Sequence, residues 1–195
     1  MLAPRGVRRT SRRYVGDLHA VPAAVRTKHR GVKVGFEVRR ALPAELDAVA
    51  ALTYDAYESA GFVTREDPHA MALRDTATRA RDAELLVAVD GDQLLGTITY
   101  AAEGGPLQEI ARPREAEFRM LAVAPAAGGR GVGSALVDWV IEASRVSGHV
   151  AVVCSSRPAM HAAHRIYERA GFVRLPERDW SPSEGVDLLG FGLTL

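Results

Sequence analysis

Eight residues, G-G-R-G-V-G-S-A at positions 128–135, place four glycines ahead of a run with helical periodicity. Glycine lets backbone amides approach a ligand closely and adopt positive φ, and the first turn of a helix leaves N–H groups unpaired beside a partial positive charge. Such a turn binds phosphate, and Arg130 can add a charged contact. Taken alone, the cluster is equally a tight strand-to-helix connection. A Walker loop needs a lysine and a hydroxyl residue after its last glycine; Gly133 is followed by Ser134 and Ala135, which argues against a nucleoside triphosphatase. A dinucleotide-binding fold is disfavoured because the loop lies in mid-domain, behind antiparallel hairpins.

The elements that must hold this turn can be read from spacing. Phe36 and Val38 begin a short strand ended by Pro43, and Leu46, Val49, Ala50, Thr53 and Tyr57 recur at helical spacing until Gly61. A second helix is expected over 69–81. The runs 84–89 and 94–100, joined through Asp90-Gly91, predict a hairpin, and the apolar run 116–123 predicts a strand buried on both faces. A helix follows over 132–146, then a strand over 149–154, a helix from Pro158 to Ala170 capped by Gly171, and final strands over 172–175 and 187–195 around a loop holding Trp180. This order predicts a mixed α/β layer with antiparallel pairing first and parallel pairing in the middle.

Charge divides the chain. The first 34 residues hold nine Lys or Arg against the single acid Asp17; the totals of 25 basic and 24 acidic residues then leave 16 basic and 23 acidic residues for positions 35–195. A basic, probably structureless extension over 1–34, joined to an acidic domain over 35–195, is therefore expected, and an acidic body argues against a nucleic-acid partner. The lone Cys154 points to a reducing, cytoplasmic compartment, and no apolar run reaches the roughly 20 residues of a membrane span.

The segment E-F-R-M-L-A-V-A-P-A-A-G-G-R-G-V-G-S-A-L-V, 117–137, resembles the central acetyl-coenzyme A motif of the GCN5-related N-acetyltransferase (GNAT) superfamily. A-A-H-R-I-Y-E-R-A-G-F, 162–172, is similar to the late helix of that family. The resemblance implies a single mixed, mostly antiparallel sheet with a central splayed parallel strand pair, flanked by about four helices. It implies acetyl-CoA as acyl donor, with no metal. The backbone of Leu121, Ala122 and Val123 would pair with the pantetheine arm, and Gly129, Arg130, Gly131, Val132, Gly133 and Ser134 would hold the pyrophosphate. Tyr167 occupies the position of the tyrosine near the thioester sulfur. Gly128 and Met160 depart from the pattern, standing where arginine or glutamine and asparagine are common.

The implied reaction is direct attack of a primary amine on the thioester in a ternary complex, the amine belonging to a small molecule or to a protein or peptide. Expulsion of thiolate calls for an acid, assigned to Tyr167, and deprotonation of the ammonium calls for a base, for which Glu117 on the cleft strand is the candidate. A backbone N–H near Leu121 or Ala122 would meet the oxyanion. The competing reading is a non-catalytic acyl-CoA-binding regulatory module. Acids in the variable segments, Glu66, Asp67, Glu103, Glu109 and Asp179, suggest a cationic acceptor. His164 can tune Tyr167, whereas Cys154 and Trp139 read as core, and Trp180 as packing or cleft lining. The final strand can pair within the chain or across a homodimer.

Overall fold

The computed structural model describes residues 35–195, so the expectation of a basic extension over 1–34 lies outside the described residues. One sheet carries the domain. Its strands are β1 (Glu37–Arg40), β2 (Glu84–Asp90), β3 (Gln93–Ala101), β4 (Glu115–Val123), β5 (Ala151–Ser156), β6 (Val173–Arg174), β7 (Trp180–Ser183) and β8 (Val186–Thr194). The order is β1-β2-β3-β4-β5-β8-β6, with β7 paired to β8. Every pairing is antiparallel except that of β4 with β5, the parallel contact expected in the middle. The final strand pairs with β5 inside the chain along all six of that strand's residues.

Helices cover both faces. On one lie α1 (Leu46–Ser59), α2 (Pro68–Arg74) and α3 (Thr76–Asp82); on the other lie α4 (Val132–Val146) and α5 (His161–Ala170). The alternation of β2 separates the layers: Leu86 and Ala88 join the core around Trp139 and Leu136 of α4, while Leu85, Val87 and Val89 pack with Val49 of α1. The single helix expected over 69–81 is two helices. Asp75 ends α2 and caps α3, its carboxylate accepting the Thr78 N–H at 3.0 Å; an aspartate prefers that cap to a helix interior. Likewise the Trp180 loop is strand β7, and α5 starts at His161 rather than Pro158.

The β4–β5 contact ends early. Glu115, Ala116 and Glu117 pair with Ala151, Val152 and Val153, and the two strands diverge beyond them. On its other edge β4 pairs with β3, where Thr97 faces Ala122 and Thr99 faces Arg119, leaving Met120 and Leu121 opposite Ile98 alone. That is a β-bulge, and Met120 adopts φ 53° there. The extra residue inverts the side-chain phase. Phe118 points to the α4 face before the bulge; Leu121 and Val123 point there after it, and Met120 packs with the α1–α2 cluster.

Gly96 lies against this region, and a Cβ there would stand 2.8 Å from the Ala122 carbonyl oxygen and 2.8 Å from Val132 Cγ1. Gly96→Ala is expected to destabilise the domain by roughly 1–3 kcal/mol through overpacking. Thermal unfolding of the two proteins checks this.

Candidate functional site

The glycine-rich turn is built as a cradle. Gly129 and Gly131 adopt φ 77° and 80° with open space where a Cβ would stand, and Gly131 is the N-cap of α4. The first bond into the helix runs from the Ala135 N–H to the Gly131 carbonyl. Among the described residues, the amides of Gly129, Gly131, Val132, Gly133 and Ser134 donate to no backbone carbonyl. They surround one end of a groove of about 590 Å³ that runs between the diverging strands, with Leu121, Ala122 and Val123 on one wall and Met160, Ala163 and Ile166 on the other. Free N–H groups at a helix N-terminus beside an open groove suit a pyrophosphate. Gly133 also sets the approach of α5, since a Cβ there would stand 2.7 Å from Ile166 Cδ1. The Arg130 side chain is committed elsewhere, to Asp90 at 2.7 Å on the β2–β3 turn. Arg169 of α5, which sequence reasoning did not single out, lines the groove instead.

At its far end the groove meets a smaller cavity of about 60 Å³, and Tyr57 and Met160 wall both. Its polar lining is His69, Glu109, Arg119 and Arg157, with Ser155 and Ser156 at the end of β5. Arg119 pairs with Glu109 at 2.5 Å, and Arg157 with Asp67 at 3.4 Å. Burial, reinforced by the Arg119 charge, holds the His69 imidazole below its ordinary pKa, which keeps it neutral. Burial pushes the Tyr57 phenol up to about 12. Tyr57 and His69 were legible only as helix residues, because nothing local marks the cavity that the bulge opens beneath them.

Four of the five acids expected to attract a cation are already engaged. Besides Asp67 and Glu109, Asp179 binds Arg174 at 2.8 Å and Glu103 accepts the Arg114 N–H at 2.7 Å. The case for a cationic acceptor is weakened accordingly.

Glu117 is fully buried. Its Oε2 accepts the N–H groups of Glu109, Ile110 and Ala111 at 2.9, 3.0 and 3.0 Å, while Oε1 has no hydrogen-bond partner. Burial pushes its pKa above the usual carboxylate range against the pull of those three donors. Tyr167 is also buried, its ring edge-on to Phe118 at 5.5 Å and close to Phe172 and Phe191. Burial raises its phenol well above the ordinary value, and the hydroxyl pairs with the Cys154 thiol. His164 stands 6.4 Å from the Tyr167 ring, and its Nε2 lies 3.2 Å from Ser156 Oγ. Trp180 lines neither the groove nor the small cavity.

Replacing Gly131 by alanine forces a side chain into a left-handed conformation that costs about 1–2 kcal/mol. Gly131→Ala is expected to weaken coenzyme A binding about tenfold, measured by calorimetric titration, with little change in the acceptor cavity.

The family model described as Acetyltransferase (GNAT) family matches residues 47–172. No curated protein matches the chain. Among solved structures, a GCN5-related N-acetyltransferase from Kribbella flavida is 26% identical with TM-score 0.61, covering 83% of this chain and 98% of its own. A ribosomal-protein-alanine N-acetyltransferase from Brucella melitensis is 22% identical with TM-score 0.59, covering 81% and 99%. A Salmonella typhimurium protein solved with its cofactor acetyl-CoA is 19% identical with TM-score 0.57, covering 82% and 94%. With the strands splayed beside an amide cradle and the family model spanning most of the domain, the chain belongs to the GNAT acetyltransferase family.

Proposed function

We propose that the protein transfers an acetyl group from acetyl-CoA to a primary amine by direct attack within a ternary complex. The observation that carries this reading is the continuity of the amide cradle, the strand-lined groove and the small polar cavity, joined through Tyr57 and Met160. Acetyl-CoA would be held at its pyrophosphate by the amides of Gly129 and Gly131 to Ser134 and along its arm by Leu121 to Val123, supplying a thioester. The acceptor nitrogen would lie in the cavity lined by His69 and Arg119.

Two groups in this chain can take the amine proton. Glu117 has a raised pKa and an uncommitted oxygen, and His69 lines the cavity as a neutral imidazole. Tyr167, held protonated by its surroundings, serves as the acid for the departing sulfur. Its hydroxyl must exchange the Cys154 thiol for that partner during turnover.

Coenzyme A thiol release with an amine panel tests the activity. If acetyl-CoA stabilises the protein but no amine releases thiol, the chain is a binding module and the enzyme reading falls. Tyr167→Phe is expected to lower kcat by about 10²–10⁴-fold with coenzyme A affinity retained.

The pH profile separates the bases. A base works only when deprotonated, so kcat/KM should fall as pH drops through its free-enzyme pKa: below the ordinary imidazole value for His69, above the ordinary carboxylate value for Glu117. His69→Gln abolishes that limb if the imidazole is the base; Glu117→Gln, which keeps an oxygen for the three N–H groups, abolishes it if the carboxylate is.

A further inference from the structure

Arg79 of α3 is 2% exposed, and every hydrogen bond it makes is to a neutral acceptor. Its Nε donates to Thr99 Oγ1 at 2.8 Å, and Nη1 donates to Thr53 Oγ1 at 3.2 Å and to the Leu73 carbonyl at 3.1 Å. Its Nη2 has no hydrogen-bond partner. A buried cation is ordinarily paired with a counter-charge, because desolvating it alone is costly. Burial draws this guanidinium down to about 10, which leaves it charged at neutral pH.

The same side chain walls a cavity of about 110 Å³ together with Arg119, Asp75, Thr78, Leu107 and Met120. Arg119 and Met120 are shared with the small polar cavity next to the groove, so the two spaces adjoin. Asp75, the acid on this wall, is committed to the Thr78 amide that it caps, and Glu109 across the shared wall is committed to Arg119. A purely structural tie between α1, α2 and β3 needs only the donors that Arg79 already uses. The remaining Nη2 and the second guanidinium on one small cavity match the planar, two-oxygen geometry of a carboxylate.

Resting on the acyl-transfer reading above, we infer that the acceptor is an amino-carboxylate, whose carboxylate seats between Arg79 and Arg119 while its amine nitrogen occupies the adjoining cavity. The amine is then acylated at a fixed distance from an anionic anchor. An amine without such an anchor, including a lysine side chain within a protein, lacks the group that satisfies Arg79.

Thiol release is measured for amino acids and their carboxamides, matched in side chain, with the full chain and acetyl-CoA. The free carboxylates are expected to win by at least about tenfold in kcat/KM, on the scale of a charge-assisted hydrogen bond, and Arg79→Lys, which keeps the charge but not the fork, should erase most of that preference. Carboxamides turned over as well as carboxylates, or a preference untouched in a folded Arg79→Lys protein, overturn the inference while leaving acyl transfer standing. Should no amine be turned over, acyl transfer fails, and calorimetric binding of N-acetylated amino acids against their carboxamides still reads the anchor: carboxylate-selective binding supports the subsite, and equal or absent binding removes it. Should Arg79→Lys not fold, the matched pairs on the native protein decide alone.

Discussion

The site exists because β4 and β5 stop pairing after three residues. Parallel strands that separated without help would expose a row of unpaired amides and carbonyls and would tend to close again. Here the bulge at Met120 and Leu121 bends β4 while it stays bonded to β3, and the side-chain phase changes at the same place. The change has a practical effect: Glu115, Glu117 and Arg119 serve the loops on the α1 side, and two residues later the same strand offers Leu121 and Val123 to the groove. One inserted residue thus lets a single strand belong to two chemical environments.

Ionic and hydrogen-bonded ties then fix the loops around the gap. Glu117 gathers three successive amides of the β3–β4 loop, which positions Glu109 to pair with Arg119. Arg178 holds Glu115 through both carboxylate oxygens, anchoring the segment before β7 to the start of β4. Glutamates on a strand edge are often solvated, and these two are instead buried struts. Their burial explains why Glu117 can combine a structural oxygen with an uncommitted one.

Much of this was legible in the sequence. Period-two and helical spacing located the strands and the long helices, and the run 128–135 announced its own turn because glycine at positive φ leaves a local mark. The break at Asp75 was missed because its flanks keep helical periodicity, and the aspartate signals a cap only once the chain turns. The groove residues Tyr57, Met160 and Arg169, and the cavity residues His69 and Arg119, come from four separate elements. They meet through the splay and the bulge, and neither feature has a one-dimensional signature. The isolation of Arg79 from any carboxylate is likewise a property of three-dimensional neighbours.

A cradle made of peptide N–H groups has a consequence for how the chain tolerates change. Amide donors are the same whatever residue carries them, so the positions around Val132 and Ser134 are free to drift so long as the helix still starts at Gly131. Recognition stored in backbone geometry is nearly silent in residue identity. Divergence can then concentrate in the acceptor cavity, where each contact belongs to a particular side chain, and a lineage can exchange one amine for another without rebuilding its grip on the donor.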